Sequence, residues 1–195
     1  MQDEKKKLRT FLRSRRRSLS PTEVTEKSRR ITERLRAFIQ FQQARTLVLY
    51  SADENEVQTE TIWQEASAQG KAVYYPRITA DRANLEFVRR RPGDRLIPGV
   101  FSILIPPGED LLSQLQETDI IFTPGVGFDR QGHRLGRGKG YYDRAFRGVL
   151  SGALRVALAY EFQVVPHIPT TPSDERVQYI MTEAEIIDCT SAKLQ

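Results

Sequence analysis

Residues 123–144 read TPGVGFDRQGHRLGRGKGYYDR. Six of the chain's twelve glycines fall inside this stretch, with Arg134, Arg137 and Lys139 set between them. Just upstream, Asp119–Phe122 (DIIF) is an apolar run that reads as a buried strand; downstream, Gly140–Leu150 reads as a helix. Strand, glycine-dense loop and helix in succession are the building block of a parallel sheet. Glycine permits positive φ and lets a ligand approach the backbone. Backbone N–H groups, a helix start and cationic side chains together make a phosphate cradle. The loop is not a Walker A motif, because Lys139 is followed by Gly140 rather than Ser or Thr. It is not the dinucleotide fingerprint either, because Gly136, Gly138 and Gly140 lack the required spacing. A merely solvated loop would not call for Leu135 or the Tyr141–Tyr142 pair. On chemistry alone, Asp143 suits either a Mg²⁺ ion shared with phosphates or the positive end of a helix dipole.

Working outward, the same alternation continues. Thr46–Tyr50, Ala72–Tyr75 (ended by Pro76), Leu85–Val88, Arg155–Tyr160 and Val177–Met181 read as strands, and Thr59–Gln69 as a helix stopped by Gly70. Residues 98–107 read as a Pro- and Gly-punctuated loop. At the N-terminus, residues 3–18 form a basic helix with an apolar stripe of Leu8, Phe11, Leu12 and Leu19. Lys5, Arg9, Arg13 and Arg16 share one face of it. Ser20, Pro21 and Glu23 spell a capping box that opens a second helix, expected to reach about Ile39 with Val24, Ile31, Leu35 and Phe38 inward. The expected fold is one α/β domain over residues 1–195: a mostly parallel sheet flanked by helices, with the 1–40 helical segment packed on it.

At 195 residues and 39% hydrophobic, the chain can bury a core without disulfides or structural metal. A single cysteine, Cys189, gives no internal bridge and is expected to be inert. There is no apolar run of membrane length and no secretory signal, so a cytoplasmic protein is expected. The net charge of +5 favours anionic partners. No His/Cys cluster has zinc spacing; His133 and His167 read as loop residues, and Trp63 as core.

The run GxGFDxxGxRLGRGKGYYDR resembles the signature of the 5-formyltetrahydrofolate cyclo-ligase family. The likeness extends to the KxxxR of Lys5 and Arg9, the strand-then-glutamate around Tyr50–Thr59, the YYPR of Tyr74–Arg77, and the PxxPxxPSD ending at Asp174. It implies a NagB/RpiA/CoA-transferase-like fold and a Mg²⁺- and ATP-dependent conversion of 5-formyltetrahydrofolate to 5,10-methenyltetrahydrofolate, releasing ADP and phosphate. By the same resemblance Lys5, Arg9, Arg134, Leu135, Gly136, Arg137, Gly138, Lys139, Gly140 and Tyr141 bind ATP. Tyr50, Ser51, Glu56 and Tyr141 meet the folate, Asp143 and Asp174 hold the metal, and Arg137 and Lys139 serve the chemistry. Ile105 before Pro106 and Gln178 depart from residues common in the family.

Two other readings compete. The KKK at 5–7 and RRR at 15–17 could serve a nucleic-acid-binding module, although no aromatics are interleaved with them and no binding motif is present. Another ATP-dependent phosphotransferase could use the same loop. The expectation is a monomeric enzyme with folate and nucleotide as partners and no nucleic acid or membrane.

Overall fold

In the computed structural model, which describes residues 1–191, the chain begins with helices α1 (Gln2–Arg17), α2 (Pro21–Arg36) and α3 (Ile39–Gln43). It continues through β1 (Thr46–Val48), α4 (Glu60–Ala68), β2 (Ala72–Ile78), β3 (Leu85–Arg89), β4 (Ile97–Pro98) and β5 (Leu104–Ile105). Then come β6 (Ile120–Thr123), β7 (Gly127–Asp129), β8 (Arg134–Leu135), α5 (Tyr141–Arg147), β9 (Leu154–Leu158), β10 (Val164–Val165), β11 (Tyr179–Met181) and β12 (Ile186–Asp188). The last four residues of the expected 1–195 unit lie outside the described residues.

Seven strands form the main sheet in the order β12-β11-β9-β6-β1-β2-β3. The five central strands are parallel, and β3 and β12 close the edges antiparallel. The expected mostly parallel sheet is present. Strand alternation explains its two buried faces. Leu47, Leu49, Ile120 and Phe122 meet Ile31 and Leu35 of α2, Phe41 of α3 and Ile62 of α4 on one side. Val48 and Ile121 point the other way, to Phe146, Leu150 and Leu115. The capping box at Ser20 forms as expected, with Glu23 N–H donating to Ser20 Oγ and the Ser20 N–H donating to the Glu23 carboxylate.

Several expectations need correction. Phe11 is 61% exposed, while Leu12 alone is fully buried from that stripe. A helix turns 100° per residue, and the inward face is already filled by Lys5, Arg9, Arg13 and Arg16, so Phe11 points out. The second helix stops at Arg36, and α3 begins separately at Ile39. Pro76 does not end its strand: β2 runs on to Ile78, past the last residue paired with β1, where the missing N–H leaves no β1 ladder bond unmade. The 98–107 loop is a short β4–β5 hairpin whose tip holds Phe101 and Ser102 at positive φ. The glycine-rich stretch is not all loop. Strands β7 and β8 pair within it, and β10 joins them in a small second sheet. On that sheet Leu135, Val126 and Ile168 receive Leu12 of α1.

Gly132 turns the chain between β7 and β8 at φ +86°, and a Cβ there would fall 2.3 Å from the Val177 carbonyl oxygen. Gly132→Ala is therefore expected to cost at least about 2 kcal/mol. That corresponds to a melting temperature roughly 4–8 °C lower; an unchanged melting temperature would contradict this packing.

Candidate active site

The parallel strand order reverses between β1 and the central strand β6: β2 lies beyond β1, and β9 and β11 lie beyond β6. Ligand crevices of α/β sheets open over the carboxyl ends of strands at such a switch point. A cavity of about 690 Å³ lies there. Residues following β1 (Tyr50, Ser51, Asp53, Glu56) and β6 (Pro124, Gly125) line it, so it sits over the middle of the sheet rather than at its margin.

Every residue nominated from the sequence reaches this cavity. Lys5 and Arg9 come from α1, Tyr50, Ser51 and Glu56 from the β1 loop, and Asp174 from the loop before β11. The segment Arg134–Gly140, with Tyr141 and Asp143, forms the opposite wall. Arg9 Nε donates to the Gly136 carbonyl at 2.8 Å, and its guanidinium would meet a Cβ on Gly138 at 3.7 Å. The helix thus lies directly on the loop. Gly138 and Gly140 take φ of +95° and +67°, the left-handed region that the glycine content makes accessible. No side chain caps α5, so first-turn N–H groups stay available to an anion. With only seven residues its dipole is small, and the cations must carry most of the attraction.

Most of the charges that line the cavity are paired. Lys5 Nζ donates to Asp174 at 2.6 Å, and Arg134 donates to Asp143 at 2.9 Å. Arg137 donates to Asp53 at 2.8 Å and to Glu56 at 3.0 Å. Lys139 is exposed and has no ion pair among the described residues. Glu56 is 7% exposed; burial raises its carboxyl above the ordinary value, and the charges of Arg16 and Arg137 only partly offset this. Asp174 is drawn below its usual value: desolvation raises it, but the Lys5 ammonium and the Thr171 N–H outweigh that.

Asp143 and Asp174 both line the cavity and supply hard oxygen donors, a set that fits Mg²⁺ when phosphate oxygens and water complete the shell. Among the described residues, no group of three or more His, Cys, Asp or Glu side chains forms a protein-only metal cage. Tyr141 hydroxyl donates to the Arg82 carbonyl, which fixes its ring at the cavity edge. Ser51 hydroxyl donates to the Leu104 carbonyl and ties the β4–β5 hairpin to the rim. Ile105 lines the cavity, whereas Gln178 works away from it, its side chain accepting from the Arg155 N–H at 2.9 Å.

The sequence reading missed other participants. Arg16 is 2% exposed and bonds the Glu54 and Gly125 carbonyls, with Glu56 3.4 Å away. Helical spacing placed it on the right face but could not show its burial. Asp53, Phe101 and Tyr142 line the cavity; Tyr142 belongs to the tyrosine pair the sequence singled out without a role of its own, whereas nothing in the local pattern marks Asp53 or Phe101. His133 binds the buried Asp129 at 2.9 Å and, like exposed His167, lies outside the cavity lining. Trp63 packs against the core under the Arg90 guanidinium at 3.6 Å, as its helical position suggested. Burial pushes the Cys189 thiol up to about 11, which suits an inert role.

Known proteins with this architecture are consistent with these observations. A 5-formyltetrahydrofolate cyclo-ligase of Mus musculus is 33% identical, covering 92% of this chain and 93% of its own. An Aquifex aeolicus 5,10-methenyltetrahydrofolate synthetase structure superposes with a TM-score of 0.84 at 29% identity, covering 98% of this chain and 95% of its own. A Mycoplasma pneumoniae 5,10-methenyltetrahydrofolate synthetase, at 23% identity and a TM-score of 0.71 over 92% of this chain and 98% of its own, shares the fold. The sequence pattern of the 5-formyltetrahydrofolate cyclo-ligase family matches residues 1–183, and the chain belongs to that family of carbon–nitrogen ligases.

Proposed function

We propose that the chain converts 5-formyltetrahydrofolate to 5,10-methenyltetrahydrofolate, consuming ATP with Mg²⁺. The observation that carries the reading is convergence. Lys5, Arg9, Glu56, Arg137, Lys139 and Asp174, drawn from four distant segments, meet in one cavity at the sheet's switch point. Lys5, Arg9, Arg134 and Lys139, with the amides of residues 136–140, provide the triphosphate end. Tyr50, Ser51, Glu56 and the Tyr141 ring provide the folate end. Glu56 can accept paired hydrogen bonds from the amino-pyrimidine edge of the pterin.

A formamide oxygen is a poor leaving group. In the proposed reaction it attacks the γ-phosphorus, the bond to ADP breaks, and an iminium phosphate forms. The N10 amine then adds to the activated carbon, loses its proton, and phosphate departs. This chain's part is positioning and charge stabilisation, without a covalent enzyme intermediate. Arg137 is the residue that can face either the folate carboxylate site or the transferred phosphoryl. Mg²⁺, held by Asp143 and Asp174, would neutralise phosphate charge. The proposal keeps the expectation of a cytoplasmic monomer; among relatives, an Arabidopsis thaliana cyclo-ligase is named mitochondrial. The nucleic-acid reading is disfavoured because, of the basic runs at 5–7 and 15–17, Lys5, Arg16 and Arg17 are bonded to the protein itself.

With ATP, Mg²⁺ and 5-formyltetrahydrofolate, the purified chain should develop the absorbance of the methenyl product; a folded sample with no turnover would reject the proposal. Lys139→Ala should lower kcat at least about 100-fold without moving the melting temperature, because the side chain is exposed and without an ionic partner. Unchanged kinetics would remove it from the phosphate role. Because Glu56 titrates above the ordinary 4.5, folate binding should weaken as pH falls through that raised value and Glu56 loses its charge. Glu56→Gln should bind folate weakly at every pH and lack this acidic limb, so an identical limb in the variant would assign it to another group.

A further inference from the structure

Strand β9 reads LRVAL, and one charge interrupts its apolar run. Arg155 stands opposite Ile121 of β6, on the sheet face that meets Phe146 and Leu150. Its side chain is 16% exposed and lies outside the cavity lining. A guanidinium this sheltered needs partners, and those it has join two pieces of the site. Nη2 donates to the Phe146 carbonyl of α5 at 3.0 Å, and the guanidinium lies 4.5 Å from the centre of the Phe146 ring. Nη1 donates to the Glu175 carboxylate at 2.9 Å and to the Arg176 carbonyl at 3.3 Å. One fork therefore fastens α5, which carries Asp143, to the segment before β11, which carries Asp174. The Glu175 N–H closes the link by donating to the Asp143 carboxylate at 3.3 Å, and Arg147 of α5 stands 3.8 Å from the Glu175 carboxylate.

We propose that Arg155 is a positioning residue: with Glu175 it holds Asp143 and Asp174 at the spacing a shared Mg²⁺ requires, without touching metal or substrate. This rests on the ATP and Mg²⁺ reading above. In the free chain each of the two carboxylates also leans on a cation, Asp143 on Arg134 and Asp174 on Lys5. Both cations belong to the proposed triphosphate end, so nucleotide draws them away. The ties that remain are backbone amides: the Glu175 N–H on Asp143 and the Thr171 N–H on Asp174. Those amides lie in one short stretch of chain, and the Arg155 fork anchors that stretch to α5. Mg²⁺ demands near-octahedral geometry at short oxygen distances, so a small widening between the two carboxylates weakens it. Lysine at this position keeps the charge but lacks the planar fork that reaches the Phe146 carbonyl from one nitrogen and Glu175 from another.

The test compares the parent chain with Arg155→Lys, Glu175→Ala and the double variant. The readouts are the Mg²⁺ dissociation constant, measured by calorimetry with a non-hydrolysable ATP analogue present, the dissociation constant for 5-formyltetrahydrofolate, and the melting temperature. Each single variant should bind Mg²⁺ roughly ten-fold more weakly, with the folate dissociation constant unchanged. The double variant should lose no more than either single one, because the two residues act as one link. A lower melting temperature with unchanged Mg²⁺ binding assigns Arg155 to the scaffold and overturns the inference. Mg²⁺ and folate weakened alike overturn it too, since a general loosening does not single out the two aspartates. Losses that add in the double variant break the link between Arg155 and Glu175 and count against it equally. A parent that binds the analogue without any dependence on Mg²⁺ overturns the metal reading and this inference together.

Discussion

The site hangs on one buried guanidinium. Arg16 of α1 is held between the Glu54 and Gly125 carbonyls and faces the Glu56 carboxylate. It therefore joins three separate pieces: the N-terminal helix, the loop after β1 and the loop after β6. A charge this deeply buried is tolerable only with partners on hand. Around it, Arg13 and Arg17 clasp Glu54, whose carboxyl burial would raise but whose arginines bring to about 2. The Asn55 side chain donates to the Arg16, Arg17 and Leu19 carbonyls and seals the end of the helix. With that end fixed, the helix acts as a ruler. Lys5 stands eleven residues before Arg16 on the same face, roughly 16 Å along the axis, and reaches the far wall at Asp174.

The second organising feature is that the cavity neutralises itself. Each carboxylate assigned to metal or folate is matched with a cation assigned to phosphate: Lys5 with Asp174, Arg134 with Asp143, Arg137 with Glu56. On the proposed function, ligand binding would be an exchange of ionic partners: a triphosphate would take the cations, and a metal ion and a pterin the carboxylates, so neither set would be left bare. Lys139, without an ionic partner among the described residues, is the group ready to meet the first anion.

How much of this was legible in the sequence depended on the length of the signal. Strands β1, β6 and β9 were readable because their apolar runs carry both faces of the sheet, as Leu47, Val48 and Leu49 show. The Ser20 capping box and the cationic face of α1 were readable because each is a local spacing rule. Strands β8 and β10, at two residues each, were not, since no periodicity fits in so short a span. Phe11 was misplaced because polar side chains, not apolar ones, occupy most of the inward face of its helix. Within the site, the motif at 134–143 announced itself by composition. Asp53 and Tyr142 acquire their place from the fold: one from the turn after β1, the other from the buried side of α5.

The most direct test is a crystal structure of the chain with a non-hydrolysable ATP analogue, Mg²⁺ and 5-formyltetrahydrofolate. The account predicts phosphate oxygens within hydrogen-bond distance of Lys139 and the amides of residues 136–140, Arg137 withdrawn from Glu56, and the pterin edge on that carboxylate. Nucleotide bound elsewhere, with Arg137 still resting on Asp53 and Glu56, would contradict it.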